Sequence, residues 1–159
     1  MICITWNDIE ITAEKMFLQI TESRIDFDYI VGIGGSGLVH ALLLSKKMDV
    51  PLIPAMVSSY DGRQRKPVVM KTKLGIKDTA LQGKNILIVD DIIASGDTLK
   101  TIREHLEEVY KPSITKSAVA YVSKKLCKEY PDFYAEEYVR NDDEWILFPW
   151  DDPQKFPKL

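Results

Sequence analysis

Two adjacent carboxylates, Asp90 and Asp91, followed closely by Ser95, Gly96, Asp97 and Thr98, are the residues whose types and spacing point to chemistry. They follow Asn85-Ile86-Leu87-Ile88-Val89, an apolar, largely β-branched run that reads as a buried strand. Ile92-Ile93-Ala94 lead on into the small and hydroxyl residues, and a helical pattern begins near Leu99. The first backbone N–H groups of a helix have no intrahelical partner and stand at the positive end of its dipole, so this turn suits an anion such as a phosphate. Ser95 and Thr98 add hydroxyl donors, and Gly96 lets the backbone close around the anion. Charge repulsion keeps Asp90 and Asp91 off the phosphate itself, but two carboxylates suit the paired hydroxyls of a ribose, or a Mg²⁺ carrying a second phosphate. The implied ligand is a phosphorylated sugar with a metal ion. A strand whose acids merely cap the next helix needs only one acid, and it leaves the glycine-hydroxyl spacing unexplained.

The strand, the Asp-Asp pair, the apolar residues after it and the Ser-Gly-x-Thr turn together resemble the phosphoribosyl-pyrophosphate (PRPP) signature of type I phosphoribosyltransferases. The resemblance implies that Asp90 and Asp91 hold the ribose hydroxyls, with Asp91 also at the metal, while Ala94, Ser95, Gly96, Asp97 and Thr98 form the loop around the 5′-phosphate.

The elements that must position these residues follow the same logic. Tyr29-Ile30-Val31-Gly32-Ile33 reads as a strand, and Gly34-Gly35-Ser36-Gly37 then opens a helix running to about Met48. A turn free of Cβ atoms brings successive N–H groups close to an anion; in the family the equivalent turn holds the pyrophosphate. The turn departs from the family at Gly35, where 6-oxopurine members carry an Arg. His40 and His105 read as solvated helix residues. Upstream, Thr5 and Asp8 form an acidic capping box for a first helix with the apolar stripe Ile9, Ala13, Met16 and Ile20. Downstream, Leu99, Ile102, Leu106 and Val109 keep helical spacing, and Ser117–Val122 reads as a further strand. The βαβα alternation predicts an α/β fold, a doubly wound and mainly parallel sheet flanked by helices, with ligands at the carboxyl ends of the strands.

Val50–Val57 reads as a strand edged by prolines, and after it comes a long excursion over about 58–83, expected to be a flexible hairpin acting as a lid. Its Ser58-Ser59-Tyr60-Asp61 string resembles the catalytic loop of xanthine-guanine and hypoxanthine-guanine phosphoribosyltransferases. On that resemblance Ser59 and Tyr60 are catalytic and close over the pyrophosphate, with Arg63, Arg65, Lys66, Lys71 and Lys73 as nearby positive charge. A small cap is expected over about 123–151, including the aromatic segment Tyr130–Tyr134. Its Trp145-Ile146-Leu147-Phe148-Pro149-Trp150-Asp151 resembles the purine-binding ending of the xanthine-guanine enzymes, which implies that Trp145 stacks on the purine and the Ile146 backbone meets its edge. Lys124 then matches the lysine that contacts the purine O6, and Asp151 is a further contributor to the metal site. One position departs again: 6-oxopurine members carry an Asp where this chain has Ala94, whereas adenine members carry Ala.

With 159 residues the chain is most simply one domain. Hydrophobic residues at 45% and charged residues at 28% exclude a disordered chain, and a net charge of −3 weighs against nucleic acid as a partner. No run has the length of a membrane span, and Cys3 and Cys127 make neither a disulfide framework nor a metal cluster, so a cytoplasmic protein is expected. The resemblance, covering Thr5-Trp6 to Asp151, implies Mg²⁺-assisted transfer from PRPP to guanine, xanthine or hypoxanthine, with a nucleoside monophosphate and pyrophosphate as products. It also implies a homodimer or homotetramer. Adenine as acceptor, favoured by Ala94, and a nucleotide-sensing protein of the same fold are the alternatives.

Overall fold

The computed structural model describes residues 2–61, 64–70, 74–139 and 146–152, with backbone alone along 58–61 and 64–70. A short strand β1 (Ile2–Cys3) leads into α1 (Trp6–Glu22). The capping box forms as the sequence predicts: Thr5 N–H donates to Asp8 Oδ2 at 2.8 Å, and Asp8 N–H donates to Thr5 Oγ1 at 3.2 Å. Next come β2 (Tyr29–Ile33), α2 (Gly37–Met48) and β3 (Leu52–Ala55), then the antiparallel hairpin β4 (Val57–Asp61) and β5 (Gln64–Met70). A single 3₁₀ turn, Asp78–Leu81, precedes β6 (Asn85–Ile93), α3 (Asp97–Val109), β7 (Ile114–Ser123), β8 (Phe133–Tyr138) and β9 (Ile146–Leu147).

Five strands in the order β3-β2-β6-β7-β8 form one parallel sheet. Strand β6 is buried on both faces, which is why its residues are apolar without alternation. Leu87 and Val89 face the core shared with Ile9, Met16 and Ile20 of α1 and Ala41 and Leu44 of α2. Ile86 and Ile88 face the other core, with Leu99, Ile102 and Leu106 of α3. The order also creates a switch point. Strand β2 passes through α2 outward to β3, whereas β6 passes through α3 in the opposite direction to β7, so a crevice opens beyond the carboxyl ends of β2 and β6.

Three readings change. Phe133–Tyr138, grouped from the sequence with the C-terminal cap, is the outer strand of the sheet and pairs with β7 from Ala118↔Phe133 to Ser123↔Tyr138. Helix α3 starts at Asp97 rather than near Leu99, because Gly96 takes φ +92° and turns the chain directly into it. His40 is fully buried and not solvated, since it shares a stripe of α2 with Gly37, Ala41 and Leu44. Burial pushes its imidazole down to about 4. His105 is half-buried, with its ring edge-on to Tyr110.

Candidate active site

Asp90 and Asp91 lie near the carboxyl end of β6, 8% and 4% exposed. The glycine-rich turn after β2 reaches them directly. Ser36 stands close enough to the Asp91 carboxyl to favour its charged form. Gly37 begins α2 so close to Asp90 that a Cβ there would stand 2.6 Å from Asp90 Oδ1; only glycine allows helix and strand to meet in this way. Gly34 is equally confined, its N–H donating to Ala55 O at 2.7 Å and its missing Cβ lying 2.7 Å from Met56 Sδ. Gly35 has open space around it and is required instead by its φ of +70°.

Burial holds both carboxyl groups above the ordinary carboxylate range. The neighbouring Asp91 charge raises Asp90 further, whereas hydrogen bonds from Asp90 and Ser36 partly offset the rise at Asp91. Asp91 N–H also donates to Asp90 Oδ1 at 2.9 Å, which fixes the side chain of Asp90. Two buried acids held in this way favour a cation or a hydroxyl-bearing ligand over solvent.

Beyond β6, Ala94, Ser95 and Gly96 form the loop into α3. Ser95 Oγ donates to Asp97 Oδ2 at 2.7 Å and accepts from Asp97 N–H at 3.4 Å, so the loop is closed on itself at the start of the helix. Thr98 stands in the first helical turn, half-buried. A second loop lies against the first: Lys128 N–H donates to Ser95 O at 3.5 Å, and Glu129 O would stand 3.4 Å from a Cβ on Gly96.

Lys124 follows β7 immediately, on the same edge of the sheet. Its backbone N–H donates to Tyr138 O at 3.0 Å, and its largely exposed ammonium pairs with Glu137 Oε2 at 3.4 Å. The Tyr130 hydroxyl donates to Glu137 Oε1 at 3.1 Å. Sequence reasoning missed Glu137, because nothing short of the β7–β8 register puts it beside Lys124.

Ile146 lies in β9, which pairs in parallel with β1 (Ile2↔Ile146, Cys3↔Leu147) and is continued by Ile4 N–H donating to Leu147 O at 2.8 Å. The segment then turns. Asp151 Oδ2 accepts from Phe148 N–H at 2.8 Å, and Asp151 N–H donates to Phe148 O at 3.0 Å. Asp151 is therefore half committed to holding this turn. Phe148 packs edge-on against Tyr121 of β7, ring centroids 5.8 Å apart, which ties the segment to the sheet.

Ser59 and Tyr60 lie on β4, whose pairing with β5 carries an irregularity between Ser58 and Tyr60. The expected hairpin is thus present, and its second strand runs beside α3. Arg63, Lys71, Lys73 and Trp145 lie outside the described residues, and so do the side chains of Arg65 and Lys66. Among the described residues no three His, Cys, Asp or Glu side chains gather as a metal site, and no helix is long and apolar enough to cross a membrane.

The xanthine-guanine phosphoribosyltransferase of Gluconobacter oxydans is 32% identical to this chain over 152 residues, covering 93% of the chain and 83% of that protein. Among solved structures, the purine phosphoribosyltransferase of Pyrococcus horikoshii superposes with a TM-score of 0.79 at 24% identity, covering 99% of this chain and 96% of that one. A Neisseria gonorrhoeae protein solved with bound ppGpp superposes with a TM-score of 0.81 at 23% identity, covering 96% and 90%. The likeness to the Pyrococcus horikoshii structure shows the α/β fold, with its mainly parallel five-stranded sheet flanked by helices, that type I phosphoribosyltransferases share. The family described as phosphoribosyl transferase domain matches residues 5–156, a span that includes both glycine-containing turns and the acidic pair between them, and the chain belongs to that family.

Proposed function

We propose that this chain is a Mg²⁺-dependent purine phosphoribosyltransferase of the cytoplasm. It transfers the 5-phosphoribosyl group of PRPP to a 6-oxopurine, giving a nucleoside monophosphate and pyrophosphate in purine salvage. The observation that carries the reading is the buried Asp90–Asp91 pair at the switch point, touched by Ser36 and Gly37 of one turn and followed by the 94–98 loop of the other. In the reaction the bond from the sugar C1 to pyrophosphate breaks, a purine ring nitrogen bonds to C1, and the base gives up a proton. Asp90 and Asp91 hold the ribose hydroxyls, residues 94–98 the 5′-phosphate, and the Gly34–Gly37 turn the pyrophosphate. Ser59 and Tyr60 close over the leaving group and exclude water, so that the base rather than water captures C1. Lys124 meets the purine O6, while Ile146 and Trp145 meet its edge and face.

The acidic pair fits Mg²⁺, because two adjacent carboxyl groups whose charged form burial disfavours gain from a divalent cation, and hard oxygens are its preferred ligands. Asp91 would hold the ion, with Asp151 a further candidate. The ion would neutralise charge developing on pyrophosphate. A homodimer or homotetramer is the expected assembly, checked by light scattering on a sizing column.

The test is pyrophosphate release from Mg²⁺-PRPP with guanine, xanthine, hypoxanthine or adenine, using Asp91→Ala as control. Release with an oxopurine, falling about 100-fold or more in the variant, supports the reading. Turnover of adenine alone moves the substrate, as Ala94 would allow. The second reading, a guanine-nucleotide-binding protein without turnover, is favoured by Ala94 and Gly35, where two functional side chains of the family are replaced. Nucleotide binding in calorimetry with no release in any well would establish it and overturn the enzyme.

A further inference from the structure

His40 and Trp150 carry the two buried side-chain nitrogens, His40 Nδ1 and Trp150 Nε1, that have no hydrogen-bond partner among the described residues. The two rings meet edge-on, with centroids 6.5 Å apart and planes at 81°. Their chemistry is complementary. The Thr12 hydroxyl lies 2.9 Å from Asp8 O and 3.0 Å from Ile9 O, so it spends its single proton on the α1 backbone. At 3.0 Å from His40 Nε2 the hydroxyl then accepts in the Nε2–H tautomer, the one that leaves Nδ1 as an acceptor. Trp150 Nε1–H is a donor only. An unpaired donor and an unpaired acceptor, both buried, on rings in contact, each cost free energy that one shared bond removes.

Both residues hold elements the reaction needs. His40 sits one turn into α2, the helix that opens at Gly37 against Asp90. Trp150 is stacked on Phe148, centroids 4.9 Å apart and planes 5° apart, and leans on Trp6 at 5.8 Å, in the turn that follows Ile146 and Leu147. We infer that His40 is a positioning residue for the base-binding segment: its Nδ1 accepts from the Trp150 indole N–H, directly or through one water, and so couples the pyrophosphate-side helix to residues 146–151. The inference rests on the purine-transfer reading for its consequence, though not for the bond itself.

The variants separate the two imidazole nitrogens. Asn at position 40 keeps a polar atom near Nδ1 and loses the reach to Thr12, whereas Gln keeps the reach to Thr12 and loses Nδ1. Trp150→Phe removes the indole N–H but keeps the stack on Phe148, so it tests the bond without opening the core. In steady-state kinetics H40Q and W150F each raise KM for the purine roughly fivefold, as expected for one hydrogen bond, with KM for PRPP and kcat little changed. H40N stays near wild type, and H40Q/W150F is no worse than either single variant. A parallel fall of kcat and both KM values in proportion to melting temperature would reduce His40 to a core residue and overturn the inference. A second readout does not need turnover: the Trp150 indole N–H, assigned in ¹⁵N NMR by its loss in W150F, exchanges with solvent several times faster in H40Q than in wild type. Unchanged exchange overturns the bond, whereas faster exchange in a protein that releases no pyrophosphate keeps the bond and overturns the purine-transfer reading alone.

Discussion

Asp90 is where binding chemistry and stability oppose each other most directly. Its carboxyl is buried, stands beside a second acid and is held above its ordinary range, so the folded chain gives up free energy to present it. Asp90→Asn keeps Oδ1 for the Asp91 N–H and removes the charge. The expected outcome is a melting temperature higher by roughly 3 °C, with pyrophosphate release lowered at least tenfold, read by calorimetry and the coupled assay on one preparation. A lower melting temperature would mean that the acid is satisfied as it stands. Position 94 invites the opposite change. Ala94 is half-buried in the loop between β6 and α3, where a carboxylate would supply a proton acceptor. Ala94→Asp is expected to raise kcat on hypoxanthine roughly tenfold and leave KM for PRPP unchanged. Equal turnover in both proteins would show that the base loses its proton to another group or to water.

At the scale of elements, the starts of α1 and α2 follow different rules. Helix α1 begins at a side-chain cap that Thr5 and Asp8 spell out, and Thr5→Ala should cost about 1 kcal/mol in urea unfolding. Helix α2 begins at Ser36 without a side-chain cap bond, because its first turn is spent on approaching β6. Gly37→Ala therefore forces helix and strand apart, with an expected loss of about 2 kcal/mol and weaker PRPP binding in calorimetry. Local patterns of this kind were legible: the buried strand before Asp90, both glycine-containing turns, the capping box and the hairpin after Val57 all stand where their residues indicate. What was not legible depends on partners distant in sequence. Phe133–Tyr138 is half aromatic and one-third charged, suits an outer strand or a cap equally, and is decided only by its pairing with β7. His40 was misread because its polar ring outweighed its spacing, although positions 37, 40, 41 and 44 fall on one helical stripe.

For the whole molecule, that buried imidazole sets part of the response to pH. Its pKa is lowered from 6.5 to about 4 by burial, so between those values the unfolded chain binds a proton that the folded chain refuses. The contribution is complete above pH 6.5 and is lost as pH falls towards about 4, amounting to about 2 kcal/mol at pH 5. The acidic pair acts with the opposite sign, because raised carboxyl groups hold protons that the unfolded chain has released. Urea midpoints measured from pH 7.5 to 4.5 in wild type and His40→Gln isolate the imidazole, with a flatter profile expected in the variant. Identical profiles would show that His40 is hydrated or paired before it titrates.

The pairing of β1 with β9 has a consequence in time. Ile2–Ile4 and Ile146–Leu147 are separated by most of the sequence, so the loop that joins them is among the most costly to close, and such contacts form late. The sheet, the acidic pair and both turns can assemble from segments nearer one another, while β9, the strand proposed to meet the base, must wait for β1 to reach it. During refolding, therefore, the proposed sugar-phosphate site is expected to form before the proposed base site.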